Sequence, residues 1–590
     1  MLGPSLEAIA AILAERQAKQ GPVIESMRQL RDAYNGDLVI PLPELDRKEK
    51  SAVANLITTG LDQTAMRIAS TMPSVYYPAL EEGNNASEKR ARTRKRATMA
   101  WWEANKMPLK MRRRARWLIG YASSPVIIRP DTKWGAARWD IRDPLNTFPS
   151  VGEDPDQITP SDCIFTYSRS RAWLQERYPE ALANLKSVNP KPTDIIGIVE
   201  YTDAEVTVLM ATSSAKQNPW ESMVRGAPHV ELERVQNRTG LCLAVVPGRI
   251  TLDRPMGQFD SLVGMYNLQS KLMALEVIAV ERGIFPDTYL VSRPGETARF
   301  VAGPFDGRTG QVNVVSGGDI REMAANPGFA TNGMMDRIER AQRIGSGTPA
   351  EFGGESTSNV RTGKRGDAIL SAVVDFPIQE AQEIFAASLQ EENKRAIAIA
   401  KTYFGNERKS FYVSSRGAKG HVDYVPNKDF EDDNNVVTYS HSGADANSLV
   451  VGLGQRIGIG IMSKQTAQEI DPFISDPEAE KDRVISESLE AALLQSIQTQ
   501  AAQGAIPPSD VASIVALVGS DKMDLAAAVT KIHEQAQARQ ATPAPTGAPE
   551  TMPGLGAPGM GAEQPAQQPA VPPNPQDIGA LLASMSGGKA

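Results

Sequence analysis

Cysteine and histidine are scarce in this 590-residue chain, which has two of the first and four of the second. Cys163 and Cys242 stand far apart with no CxxC partner, which excludes a disulfide scaffold and a cysteine-based zinc site and fits a reducing cytoplasm. His229, His421, His441 and His533 are scattered with no ligand spacing, so neither a histidine metal site nor a hydrolytic triad is supported. Long apolar runs are missing too. No stretch of about 18 uncharged apolar residues exists, and no membrane span is expected. The opening "MLGPSLEAIAAILAERQ" has no basic leader and carries Glu7 and Glu15, so no signal peptide is expected. The sequons at Asn85 and Asn237 therefore carry no weight. An excess of positive charge is also lacking. The net charge is −7, so contact with nucleic acid would have to come through local patches or by enclosing it.

Nucleotide and metal motifs are absent as well. Around Gly363-Lys364 a phosphate-binding loop would need glycine at Ser358 and a hydroxyl at Arg365, and no strand leads in. Arg365-Gly366-Asp367 is read as a chance tripeptide. The string Gly554–Gly559, "GLGAPG", lies in a proline-rich stretch with no strand before it. Gly452, Gly454, Gly458 and Gly460 follow a helical pattern and suggest close helix approach or a kink. The acidic run Asp429–Asn435 lacks the calcium-loop pattern and reads as a solvated turn. No pair of carboxylates stands out. No active site is found, no cofactor is expected, and the chain is expected not to be an enzyme.

What is present is an ordered alternation of patterns. Residues 1–120 read as helical, with Gly36 as a helix stop. Within them "NASEKRARTRKRATMAWWEANKMPLKMRRRARWLIGY" packs twelve lysines and arginines between Lys89 and Arg116, with Trp101, Trp102 and Trp117 interleaved. It reads either as a nucleic-acid patch with stacking aromatics or as two helices with solvated cationic faces and a tryptophan-bearing core face. The acidity of the rest of the chain favours the second. Residues 121–256 turn to short β-like runs ("PVIIRPD", "WDIRDP", "CIFTYSR", "DIIGIVEYT", "EVTVLMAT", "LCLAVVPGRIT") interrupted by one helix, "SRAWLQERYPEALANL". The fold class is α+β.

Gln258–Gly283 follows as a strong helix, 26 residues or about 39 Å long. One stripe holds Phe259, Leu262, Val263, Tyr266 and Met273. A second holds Met265, Leu268, Leu272 and Leu275. A helix apolar on two sides needs partners on two sides. Residues 284–332 are a small β-containing excursion ("TYLVS", "ARFVAG", "QVNVVSG"), and "GMMDRIERAQRIG" is a short helix. Gly345–Asp367, "GSGTPAEFGGESTSNVRTGKRGD", is a polar loop. A long helix follows it to Gly405, with Pro377 expected to kink or restart it. Strand-like "KSFYVSSR" and "VVTYSHS" precede a helical stretch to residue 540, with Ser463 and Asp476 as N-caps. Residues 541–590 hold ten of the 41 prolines and read as a disordered tail.

The order of these segments resembles the portal protein of tailed double-stranded DNA bacteriophages, in its long-tailed-phage form. "FDSLVGMYNLQSKLMALEVIAVERGIFPDTYLV" is similar to a portal stem helix running into the clip. "GTPAEFGGESTSNVRTGKRGDAILSAVVDFPIQEAQEIF" is similar to a tunnel loop and the helix after it. "IGIGIMSKQTAQEIDPFISDPEAEKDRVISE" is similar to a helical crown, and "RWDIRDPLNTFPS" and "LVIPLPELDRKEKSAVANLI" to wing sequence. The similarity covers roughly residues 30–500 and rests on family-level order, not on catalytic motifs.

The resemblance implies a portal fold. Its wing would be residues 1–256, a stem helix 257–283, a clip 284–332, a second stem helix 333–345 and a tunnel loop 346–366. A long kinked helix would be 367–405, a β-rich return to the wing 406–443, a helical crown 444–540 and the tail 541–590. It also implies a ring of twelve subunits at one capsid vertex, assembled in the bacterial host cytoplasm and carried in the virion. Terminase would pump DNA inward through the ring. DNA would later leave through it, and a head–tail adaptor, the major capsid protein and scaffold would bind it. No membrane partner is implied. On this reading Ser356, Thr357, Ser358, Asn359, Arg361, Lys364 and Arg365 face the DNA channel. Phe259, Leu262, Val263, Tyr266, Leu272 and Met273 pack neighbouring subunits in the stem. An acidic chain suits a conduit, because a cationic lining would grip phosphates.

Two other classes compete. A nucleic-acid enzyme, such as a nuclease or packaging ATPase, lacks the lysine motif and the acidic metal cluster it needs. Another virion protein, a minor capsid or head–tail component without a channel, leaves the order of elements unexplained.

Overall fold

The computed structural model describes residues 3–503 other than 38, 43–46, 51–54, 82, 152–157, 186–190, 213–228, 250, 253, 285–286, 302–314, 324–329, 347–362, 414–419, 440–445, 472–473 and 475–476, and a few positions from 507 to 532. Two compact units are present, Met1–Glu487 and Ser488–Ala590.

The first unit opens with α1 (Leu6–Asn35). Ser5 Oγ accepts from the Ala8 amide at 3.2 Å, and Gly36, at φ 73°, closes the helix in the left-handed conformation that glycine adopts without strain. A small hairpin follows, β1 (Val39–Leu42) and β2 (Arg47–Lys50). Then come α2 (Leu56–Ser70), β3 (Ser74–Tyr76), α3 (Asn85–Ala104) and α4 (Met107–Tyr121).

The β-rich part contains β4 (Val126–Asp131), β5 (Ala136–Ile141), β6 (Thr147–Pro149), β7 (Asp162–Ser170), α5 (Arg171–Arg177), α6 (Pro179–Ala183), β8 (Ile195–Asp203), β9 (Val206–Thr212), β10 (His229–Gln236) and β11 (Ala244–Val245). The single helix expected from "SRAWLQERYPEALANL" is two, because Pro179 cannot donate within a helix and instead opens α6 at its first position. "LCLAVVPGRIT" yields only the two residues of β11. The strand β10, "HVELERVQ", carries too much charge to read as one. It is an edge strand, largely half-exposed.

Five strands form an antiparallel sheet in the order β10-β9-β8-β7-β6. Its middle strand β8 is buried on both faces. α1 covers one side, where Ile9 and Leu13 meet Val199 and Val208. The other side is covered by Leu174 of α5 and Leu182 of α6, against Ile198 and Ala211. That is why "IIGIVEYT" does not alternate as a half-buried strand does, and its buried Glu200 is paired with Arg129 and Arg142.

Next come α7 (Asp260–Ile284), β12 (Asp287–Ser292), β13 (Arg299–Phe300), β14 (Val315–Ser316), β15 (Gly318–Met323) and α8 (Ala330–Ser346). The 42-residue α9 (Gly363–Phe404) runs on through Pro377, so proline does not restart it. Its C-terminal half is buried almost all round: Phe385, Leu389, Ala396 and Ile399 are each fully enclosed. It packs on the three-stranded sheet β11-β4-β5 and on α2 and α4. The hairpin β16 (Lys409–Val413) and β17 (Gly420–Tyr424) lies on α3, and α10 (Pro426–Asp429) follows it. The last strand, β18 (Val436–Thr438), pairs with β3, tying residues far apart in sequence. The acidic run after α10 is a fastened turn. Asp432 accepts from the amides of Asp433 and Asn434, and its carbonyl accepts from Arg94 at 2.9 Å.

α11 (Ala446–Gly458), α12 (Lys464–Ile470) and α13 (Pro477–Ala502) end the described chain. Ser463 caps α12, accepting from the Thr466 amide, whereas Asp476 lies outside the described residues. A Cβ added at Gly452, Gly454 or Gly458 would meet nothing within 4 Å. These glycines therefore do not mark close helix approach, and Gly460, at φ 75°, simply follows the end of α11. The cut between the two units falls within α13. Of the second unit the C-terminal part of α13 is described, together with a few later positions. The proposed tail, 541–590, lies outside the described residues.

Candidate functional site

Two features stand out, a helix pair and a basic trough. α7 runs into β12, β12 pairs antiparallel with β15, and β15 leads into α8. Gly345 at the end of α8 returns to Leu262 at the start of α7 and leaves only 2.8 Å between that side chain and an added Cβ. The two helices are thus antiparallel, joined at the far end by the β excursion.

The apolar residues of α7 divide along its length. Phe259, Leu262, Val263 and Tyr266 belong to the chain's own main core. This corrects the expectation that they pack neighbouring subunits: the stripe is spent within the chain. Leu272 and Met273 are half-buried. Further along, Ala274 and Ile278 form a small separate cluster. Among the described side chains of α7, four apolar ones stay substantially exposed: Met265, Leu268, Val277 and Val280. Gln269 Oε1 and both amide atoms of Gln342 are buried with no partner among the described residues.

Ser356, Thr357, Ser358, Asn359 and Arg361 lie outside the described residues. Lys364 and Arg365 fall in the first turn of α9, which begins at Gly363 and not after residue 366. Two cations at a helix N-terminus also oppose the helix dipole.

The basic stretch Lys89–Arg116 forms α3 and α4, and here the expectation of solvated cationic faces needs correcting. Arg94, Lys95 and Arg114 are buried. Arg114 and Glu392 of α9 make a fully buried bidentate pair at 2.7 and 3.1 Å. Ser388 Oγ donates to the same carboxylate at 2.6 Å, and Trp139 Nε1 donates to it at 3.0 Å. Phe385 lies under the guanidinium at 5.3 Å. The tryptophans are core residues as expected: Trp101 donates to Tyr424 Oη at 2.9 Å and Trp102 to Asn393 at 3.2 Å. Trp117 is half-buried.

Five other cations of this stretch, Lys106, Lys110, Arg112, Arg113 and Arg116, help to build the trough. It has a volume of about 1000 Å³ and lies between the α3–α4 corner, the outer face of α4 and the β4–β5 hairpin. The buried Asn105 fixes the corner. Its amide nitrogen donates to the Trp101 and Ala137 carbonyls, and its oxygen accepts from the Trp139 amide at 3.0 Å. Lys106 follows with φ 54°, a left-handed conformation that non-glycine residues seldom adopt.

Three lining cations are partnered. Lys110 donates to the Trp139 carbonyl, and burial pushes its pKa down. Arg116 donates to Asp62 at 2.6 Å and Arg138 to Asp140 at 2.8 Å; each carboxylate raises its arginine's pKa. Four others, Lys106, Arg112, Arg113 and Lys133, are exposed and have no side-chain partner among the described residues. One carboxylate lines the trough, Asp131, and it is already engaged. Its Oδ1 accepts from the amides of Lys133 and Trp134, and Oδ2 lies 3.9 Å from Arg138. Trp134 stands in the wall, 39% exposed, edge-on to Phe411 at 6.0 Å. Sequence reasoning missed Lys133, Trp134 and Arg138, because nothing in the chain order brings the hairpin beside α4.

Among the described residues no group of histidine, cysteine and carboxylate side chains could hold a metal ion, and no helix is long and apolar enough to cross a membrane. Cys163 and Cys242 are buried free thiols whose pKa burial pushes up. No protein-family model matches the chain, and a search of curated proteins finds no match.

Proposed function

We propose that this chain is a subunit of a ring-shaped DNA conduit of the phage portal type, working by structure and not by catalysis. The observation that carries the reading is the antiparallel pair α7–α8. It is rooted in the main core at Phe259–Tyr266 and joined at its far end by a β excursion. It is followed at once by the Gly/Ser/Thr-rich stretch 347–362 and the long α9. Apolar side chains left exposed along α7 face water in a lone subunit, and a like neighbour on each side would cover them. The orphaned Gln269 Oε1 and Gln342 amide also suit a setting completed by something outside the chain.

In this reading α7 and α8 are stem, β12–β15 clip, and 347–362 the core of the tunnel loop. Arg361, Lys364 and Arg365 make transient phosphate contacts. Terminase, a head–tail adaptor, capsid and scaffold engage the outside, and the finished ring sits at one vertex of the virion.

Electron microscopy and native mass spectrometry of the purified chain test this directly. A closed ring with an axial hole is expected. Val277→Asp combined with Val280→Asp is expected to dissociate it while circular dichroism of the subunit is unchanged. Stable small oligomers without a hole would overturn the conduit and favour a structural virion component.

A further inference from the structure

We infer that the trough between α3, α4 and the β4–β5 hairpin binds the phosphodiester backbone of a nucleic acid, at a site separate from residues 347–362. A chain of net charge −7 gathers Lys106, Arg112, Arg113 and Lys133 into one concavity, with no counter-charge free to meet them. Arg112 and Arg113 lie on α4, Lys106 at its N-cap and Lys133 on the β4–β5 turn, so they are not the solvated face of a single helix. Like charges held together destabilise the fold unless an anion neutralises them. Asp131, the one carboxylate in the lining, is engaged by two hairpin amides and lies near Arg138.

Trp134 presents part of its ring at the wall of this trough and is held in place by Phe411. Cations beside a fixed, partly exposed ring form the arrangement that takes phosphates together with a stacked base. An acidic peptide would use the cations but has no base to stack on the ring.

The test is fluorescence anisotropy with the full chain and two labelled probes, a single strand of about 20 nucleotides and the matching duplex. Four phosphate contacts predict that wild-type affinity falls about a hundredfold between about 50 and about 200 mM salt. Arg112→Glu with Arg113→Glu and Lys133→Glu should abolish binding. The milder Arg112→Gln with Arg113→Gln should flatten the salt dependence and covers the case in which the charge reversals fail to fold. A single strand bound more tightly than the duplex, with the preference lost in Trp134→Phe, assigns the ring to base stacking. Equal binding of both probes assigns the trough to backbone alone.

Wild-type affinity unchanged in the double glutamine variant overturns the inference. So does a wild-type chain that binds neither probe; if charge reversal then alters self-association, the trough is an interface between copies. Ring formation does not enter these readings, so this inference and the conduit proposal fail independently.

Discussion

Arg113 and Arg114 are adjacent on α4, yet the fold gives them opposite surroundings. Arg114 is wholly enclosed, paired with Glu392 and ringed by Ser388, Ser124 and Phe385. Arg113 lines the open trough with no partner among the described residues. A helix turns about 100° per residue, so one step carries the same side chain from interior to solvent. The inner cation is structural and its removal leaves a buried charge. The outer one contributes little to stability and is available for a ligand. Charge density along a sequence therefore says little about which cations are free.

The comparison breaks most visibly at the buried pair. Arg114→Met or Glu392→Gln strands one partner in a dry interior and is expected to cost about 3–5 kcal/mol, whereas Arg113→Gln should change stability by less than about 0.5 kcal/mol. Urea denaturation of the three variants measures both. Equal midpoints would mean that the buried pair is not holding α4 to α9.

Asn105 gives an intermediate effect, because it joins the α3–α4 corner to β5 through two hydrogen bonds and to Trp101 of α3 through a third. Asn105→Ala leaves the buried Trp139 amide without its acceptor and should cost about 1–3 kcal/mol. The same substitution should weaken any trough ligand, since Lys106 follows the corner that Asn105 fixes. Denaturation and probe binding, read on one preparation, separate the two consequences.

The smallest effect lies in pH. Burial lowers the Lys110 pKa from its ordinary 10.5, so the unfolded chain holds that proton more tightly than the folded one. Its share of stability is therefore present above pH 10.5 and lost as pH falls through the lowered folded value. Lys110→Met should remove that increment. Subtracting its stability-against-pH curve from the wild-type curve isolates it from the other titrating groups.

Much of the fold is legible in the residues. The apolar run of β8, the Gly36 stop, the helix at Gln258–Gly283 and the cap at Ser463 are local signals, and each matches an element of the structure. Signals that depend on partners were not legible. β10 and β17 became strands by pairing with neighbours and carry too little apolar pattern to announce themselves. The two stripes of α7 read alike, yet Phe259–Tyr266 went to the chain's own core while Met265 and Leu268 remained exposed. Only half of the trough was visible, because α3 and α4 carry their cations in one run while Lys133, Trp134 and Arg138 arrive from a hairpin.

Periodicity and composition determine most of the helices and the apolar strands, and they show that metal-ligand spacing is missing and that positive charge is dense between Lys89 and Arg116. Those properties belong to neighbours along the chain and need no third dimension. The tertiary structure decided which cations are buried, which stripe of α7 is used internally and which residues meet across the trough. Burial and pairing depend on distances between segments remote in sequence, and packing alone sets those distances.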